Sequence, residues 1–284
     1  MWPFDLAFMQ RALVAGLVVG AAAPLIGAFL VQKRLSLMGD GIGHIAFAGV
    51  GAGLLLDVWP VWSALVVAVA GALGIEWMRR TGLAGDLVLA LFFYGGIAAG
   101  VVIIQASGAL NARVLEFLFG AILTVSTGDV WIILGLGATI VAAVVVAGRA
   151  LFAVVVDEEA ARVAGLPVDA LNSLLAVLVA VTVVVAMRAV GILLVAALMV
   201  LPVGAAQAVA RSFRGTLIGG SIVGVASVVV GLTIAREAPV APGGTIVLVA
   251  ALAFAVATIA SRRRPAGMPG APVAEPPRAH GHAH

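Results

Sequence analysis

Nine apolar stretches follow one another along the chain, at roughly 8–31, 38–56, 60–78, 86–106, 129–148, 169–187, 190–210, 215–235 and 243–261. Each is close to the ~20 residues that carry an α-helix across the hydrocarbon core of a bilayer. In that medium every backbone N–H and C=O must be paired within the protein, so only helices and closed barrels span it. A barrel strand alternates apolar and polar residues over about ten positions. These runs are continuously apolar, so the expected fold is all-α, a polytopic transmembrane bundle of eight to nine spanning helices. A soluble domain is excluded by the same surplus, since 63% of the 284 residues are hydrophobic and 10% are charged.

The charges between the stretches set an orientation. Lys33 and Arg34, Arg79 and Arg80, Arg149 and Arg162, Arg211 and Arg214, and Arg262 to Arg264 follow the odd-numbered spans. The even-numbered ends carry only Arg113, Arg188 and Arg236. By the positive-inside rule the amino terminus is expected outside and the carboxyl terminus in the cytoplasm, in a multi-pass protein of the cytoplasmic membrane. The first run is long enough to span and no small-residue cleavage site precedes soluble sequence, so it reads as a helix rather than a signal peptide. The net charge of +3 reads as membrane flanks against lipid, with no nucleic-acid partner.

Several chemistries are excluded. There is no cysteine, hence no disulfide and no thiolate ligand. Lys33 is the only lysine and stands in VQKRLS, without the glycine frame of a phosphate-binding loop. The chain is therefore expected not to be an enzyme, since it lacks its own means of ATP hydrolysis, and a lysine Schiff base is not expected. No HExxH-type cluster is present for a metal-activated water.

Within the apolar frame a few segments stand out. Gly16/Gly20, Gly49/Gly53, Gly215/Gly219 and Gly220/Gly224 have the small-xxx-small spacing of closely packed helices. Residues Asn111–Ser126 read as an extracellular interfacial or re-entrant helix, with Glu116 at the interface. In the loop Phe152–Pro167, Asp157, Glu158 and Glu159 open a short helix that Gly165 and Pro167 close. This helix is either a connector or a docking surface for a cytoplasmic partner. Pro202, followed by Gly204, is expected to kink or break the span Val190–Ala210, either as a structural bend or beside a substrate path. Asp57, Glu76, Asp86 and Asp129 read as ordinary span boundaries. Beyond Arg264 the Pro-rich residues 265–284, with His280, His282 and His284, are expected to form a disordered cytoplasmic tail on a 1–264 transmembrane domain.

The stretch MGDGIGHIAFAGVGAG at 38–53 carries the candidate site. Asp40 and His44 are the one Asp/His pair at helical spacing, and His44 is the only histidine outside the tail. Four residues apart, they fall on one face of a helix, one turn from each other. They could satisfy each other as a carboxylate–imidazole bond, or offer oxygen and nitrogen to a divalent cation such as zinc or manganese. Two ligands are too few for a closed structural site, so a transient one is expected. Asp40 should lie about 6 Å nearer the inner face than His44.

Four segments resemble the integral membrane permeases of ABC-type importers for zinc and manganese. They are MGDGIGHIAFAGV at 38–50, LEFLFGAILTVS at 115–126, Phe152 with DEEAARVAGLPV at 157–168, and VGILLVAALMVLPVGAA at 190–206. The similarity runs from about Phe8 to Arg264. It implies a homodimer, a dimeric cytoplasmic ABC ATPase, and an extracytoplasmic metal-binding protein that delivers zinc or manganese as cargo, with no permanently bound cofactor. It implies that Asp40 and His44 lie in the metal path. It also implies that residues 157–166 form the coupling helix on the ATPase, through Asp157, Glu158, Glu159, Ala161, Gly165 and Leu166. Met199, Pro202 and Gly204 are expected at a helix break lining the path, which opens alternately to either side. The alternatives are an ion-coupled secondary metal transporter, which would need its own carboxylate relay, and an ABC permease for a chelated metal or corrinoid.

Overall fold

The computed structural model describes residues 7–108, 117–120, 125–238 and 240–262, and among these no strand occurs. The helices are α1 (Ala7–Gln32), α2 (Met38–Leu55), α3 (Pro60–Arg80), α4 (Gly85–Ala106), α5 (Thr127–Val156), α6 (Glu158–Val163), α7 (Val168–Met187), α8 (Val195–Gln207), α9 (Phe213–Glu237) and α10 (Pro242–Arg262). Eight of them are long and apolar enough to cross a membrane. Local chemistry starts several of them. Ser126 and Asp129 form a reciprocal capping box on α5. Ser212 caps α9 through the N–H of Gly215. Pro60 opens α3, where its missing N–H costs no helical bond.

The seventh expected span departs from the other eight. Its helical part covers only residues 192–207, a short 3₁₀ turn Ile192–Leu194 followed by α8. The expectation of a break at Pro202 is corrected: α8 runs through Pro202, and the discontinuity lies at Gly191. Pro202 is the eighth residue of α8, and the carbonyl its missing N–H leaves without a helical partner is that of Leu198, four positions before it. Gly191 has φ +90°, a backbone state that side chains rarely adopt, and its neighbour in space, Gly120, has φ +78°. Any side chain on Gly191 would collide with the backbone of Leu118 to Gly120. The break is thus built by two glycines in contact.

Chain ends alternate as the charges require. Met9, near the start of α1, lines one small cavity with Leu232 and Pro242, near the end of α9 and the start of α10. At the opposite end Phe29 of α1 meets Phe213 of α9, ring centroids 5.1 Å apart. The short α8 runs between these two ends, so among the described residues eight long helices and one short, broken one connect the two ends of the bundle. Enclosed α1, α2 and α7 form its centre, whereas α5 and α10 leave most of their surface uncovered. Small residues permit the closest approach: a Cβ on Gly20 would stand 2.9 Å from the carbonyl oxygen of Gly224. The tail at 265–284, Asn111 and Glu116 lie outside the described residues. Of the segment 111–126 the described part includes buried Phe117 and a helical turn at residues 117–119.

Candidate functional site

Asp40 and His44 both lie on α2, as their spacing requires, and both are half-buried. Glycines place the neighbours around them. Gly39 approaches Ala196 and the sulfur of Met199 on α8, and Gly43 approaches Ile192. On the other flank Gly96 of α4 packs on the backbone of His44 and Ile45. Ile45, Gly49 and Gly53 face α3. Asp40 and His44 are left on the sector of α2 between α8 and α4. The imidazole rests edge-on against Phe93 of α4, centroids 4.5 Å apart and planes at 79°. Asp40 stands in the first turn of α2, where the helix dipole favours a carboxylate.

No hydrogen bond or ion pair joins Asp40 to His44 among the described residues, and neither has another such partner there. The mutual carboxylate–imidazole bond is therefore not formed. No third His, Asp or Glu gathers with them among the described residues. The arrangement is an oxygen and a nitrogen, one turn apart, with open valences in an apolar wall. It can bind a cation transiently, with water or further groups completing the shell.

Met199 and Pro202 are buried on α8, Met199 beside Gly39 and hence beside the turn that carries Asp40. Gly204 instead faces Phe254 of α10. The structure brings Met199 to the candidate pair and leaves Gly204 apart from it.

The short helix α6 forms at Glu158–Val163. Asp157 caps it, accepting from the N–H groups of Glu159 and Ala160. Gly165, at φ +81°, ends it, and Leu166 donates back to the carbonyl of Ala161 at 3.0 Å. Ala161 is the buried residue of this helix. Glu158 turns inward: Lys33 Nζ lies 2.7 Å from its Oε1 and donates to Asn172 Oδ1 at 2.5 Å. Burial alone would raise the Glu158 carboxyl, but the hydrogen bond and charge of Lys33, with Asn172 and Arg79, hold it below the usual carboxylate range. Arg80 of α3 donates to the Asp169 carbonyl and to Ser173 Oγ on α7, and Arg79 and Arg80 both pair with buried Glu76.

At the opposite end Arg188 Nη2 lies 2.7 Å from Asp129 Oδ2, and the guanidinium stands 5.1 Å from the ring centre of Phe117. The reading of Glu76 and Asp129 as ordinary boundary residues is corrected: both are buried, and each neutralises arginine. Sequence reasoning missed the Lys33–Glu158 and Arg188–Asp129 pairs and the Phe93 wall. Two signals pointed towards them: Lys33 is the only lysine, and Arg188 stands at an end where arginine is disfavoured.

Comparison with known proteins places this architecture. A protein from Halalkalibacterium halodurans called manganese transport system membrane protein MntC is 30% identical over 88% of this chain and 86% of its own length. The Yersinia pestis protein called chelated iron transport system membrane protein YfeD is 31% identical over 93% and 89%. The solved structure of PsaBC from Streptococcus pneumoniae in complex with Fab superposes with a TM-score of 0.81 at 30% identity, covering 89% of this chain and 91% of that one. The profile of the ABC 3 transport family matches residues 5–261. With eight helices long and apolar enough to span a membrane among the described residues and a family match over nearly its full length, the chain belongs to the ABC 3 transport family, as a multi-pass transport subunit.

Proposed function

We propose that the chain is the permease of an ATP-driven importer that passes a divalent transition-metal ion, zinc or manganese, into the cytoplasm by alternating access. The observation that carries this reading is Asp40 with His44, two ligand groups one turn apart on an otherwise apolar sector of α2, without a hydrogen-bond or ion-pair partner among the described residues. The kinship with MntC supports a bare metal ion as cargo. Two ligands bind weakly enough to release, and a second copy of the chain or water completes the shell.

Energy comes from a separate ATPase dimer docked on α6, through Asp157, Glu158, Glu159, Ala161, Gly165 and Leu166. A metal-binding protein delivers cargo on the other face. Displacement of α6 reaches the metal path through Lys33, which lies in the short α1–α2 connection beside Arg34, a residue at φ +59°. Asp40 follows seven positions later, in the first turn of α2. Met199 and Pro202, on α8, border the same path.

The test is metal uptake in vesicles reconstituted with the ATPase. Asp40→Ala and His44→Ala are each expected to abolish uptake while the assembly with the ATPase survives; wild-type uptake in both variants would overturn the site. A second reading, a chelated metal as cargo, draws on the kinship with YfeD. Competition separates the two: free metal ion blocks uptake of a bare ion, whereas excess chelate blocks uptake of a complex. Metal content of the purified assembly, with and without His44, identifies the ion.

A further inference from the structure

We propose that a cleft between α1, α5 and α9 binds one anionic phospholipid, its phosphate held by Arg149 and Arg214 and its acyl chain laid along the apolar wall. The cavity is about 550 Å³ and opens on the outside of the bundle. No acidic side chain lines it. Among the described residues neither arginine has an ion pair or a hydrogen bond, so two guanidinium groups share one cleft without a counter-charge. A phosphate diester supplies that charge, and arginine binds it through two parallel N–H donors.

Depth argues for lipid. From Thr127, the first residue of α5, to Arg149 is about 33 Å of helix. That length matches the ~30 Å hydrocarbon core, so Arg149 reaches the headgroup level of the far leaflet. Arg214 stands in the first turn of α9 at the same end of the bundle. The odd-numbered flanks make this the cytoplasmic leaflet, where anionic lipids attract basic groups. On the membrane-core side of the arginines the wall is apolar, formed by Val144, Val145 and Leu217, while the ring pair Phe152 and Phe213 stands on their cytoplasmic side. Phe152 and Phe213 lie 4.4 Å apart at 31°, and Phe29 closes the back. Gly148 keeps the cleft open, since a Cβ there would meet nothing nearer than Val144 Cγ1 at 3.7 Å. A soluble protein partner would have to bury this wall against lipid-facing α5, most of which is uncovered.

The proposal does not depend on what is transported. It is tested on the purified full chain by native mass spectrometry, with phosphatidylglycerol and phosphatidylcholine of identical acyl chains. The chain is expected to retain one phosphatidylglycerol in preference to phosphatidylcholine. Arg149→Gln with Arg214→Gln is expected to lower that preference roughly thirtyfold, as two interfacial arginines imply. Gly148→Leu, which fills the cleft and keeps both charges, is expected to abolish retention. Should that variant fail to fold, Val145→Trp blocks the same cleft from an exposed position. Equal retention of the two lipids would overturn the proposal, leaving two arginines that merely reach to water. So would displacement of the lipid by inorganic phosphate alone, retention in the filled-cleft variants, or occlusion of the cleft by the ATPase or a second copy in the assembled complex.

Discussion

The two ends of the bundle hold their charges in opposite ways. At the outer end the pair Arg188–Asp129 is withdrawn from solvent, the side chains 14% and 3% exposed. Asp129 is also held by Ser126, through its N–H and its hydroxyl, and Arg188 Nε has no acceptor among the described residues. At the inner end charge is spread over three helices, α3, α6 and α7, and the α1–α2 connection, and most of it meets water. Lys33 is 9% exposed but Glu158 is 44% exposed, and Arg162 and Asp169 are 63% and 55% exposed. A buried pair is strongly coupled, because losing one partner strands the other in a low dielectric. A wet network yields one link at a time. The outer end is therefore a fixed junction, tying α5 to the end of α7, and the inner end is a set of separable links among α1, α3, α6 and α7.

The largest effect that could break this contrast is at Arg188. Arg188→Leu strands the Asp129 carboxylate and is expected to cost about 3–5 kcal/mol. Thermal unfolding in detergent measures it, and Arg188→Leu with Asp129→Leu is expected to recover most of the loss. Equal damage from single and double variants would mean that packing, not charge, holds the junction.

The inner network is expected to respond asymmetrically. Glu158→Ala leaves the poorly exposed Lys33 ammonium with Asn172 alone, at a cost of about 1–3 kcal/mol. Lys33→Ala leaves Glu158 open to water and strands only the Asn172 amide oxygen, whose Nδ2 still donates to Glu158, at about 1 kcal/mol. A double-mutant cycle on the two gives their coupling directly. Reversal of that order would show Glu158 to be held by something other than Lys33.

Acid sharpens the same point. Because the folded Glu158 carboxyl is held below its unfolded value, its contribution is fully present above the ordinary glutamate range, near pH 4.3, and is lost as pH falls through the lower folded value. Melting curves are expected to show a wild-type loss in that acid window that Glu158→Gln lacks. Smallest of all is Arg162→Ala, within about 0–1 kcal/mol, because both partners of that pair are solvated.

The spans and their order were legible because each depends on sums over ~20 residues, which local exceptions barely disturb. The capped short helix at Glu158–Val163 was legible for the opposite reason, since caps and a closing glycine act within a few residues. The break in the seventh crossing was misplaced to Pro202. Proline announces itself in a sequence, whereas Gly191 acquires its meaning only from Gly120, about seventy positions away. The polar links were hidden likewise: Lys33 and its acceptor Asn172 are 139 positions apart, and Arg188 and Asp129 are 59 apart. At the candidate site, the shared face of Asp40 and His44 followed from helical period alone. Phe93 against the imidazole did not, because it depends on how α4 is seated through Gly96.

Lys33 offers one last consequence. As the only lysine, it carries the only side-chain amine in the chain, and it sits at the junction of α1, α6 and α7 with little exposure. An amine-directed acylating reagent thus has one side-chain target, shielded whenever the link to Glu158 is closed. The rate of its modification becomes a clock for the opening of that junction, readable in the intact transporter during turnover without introducing a label by mutation.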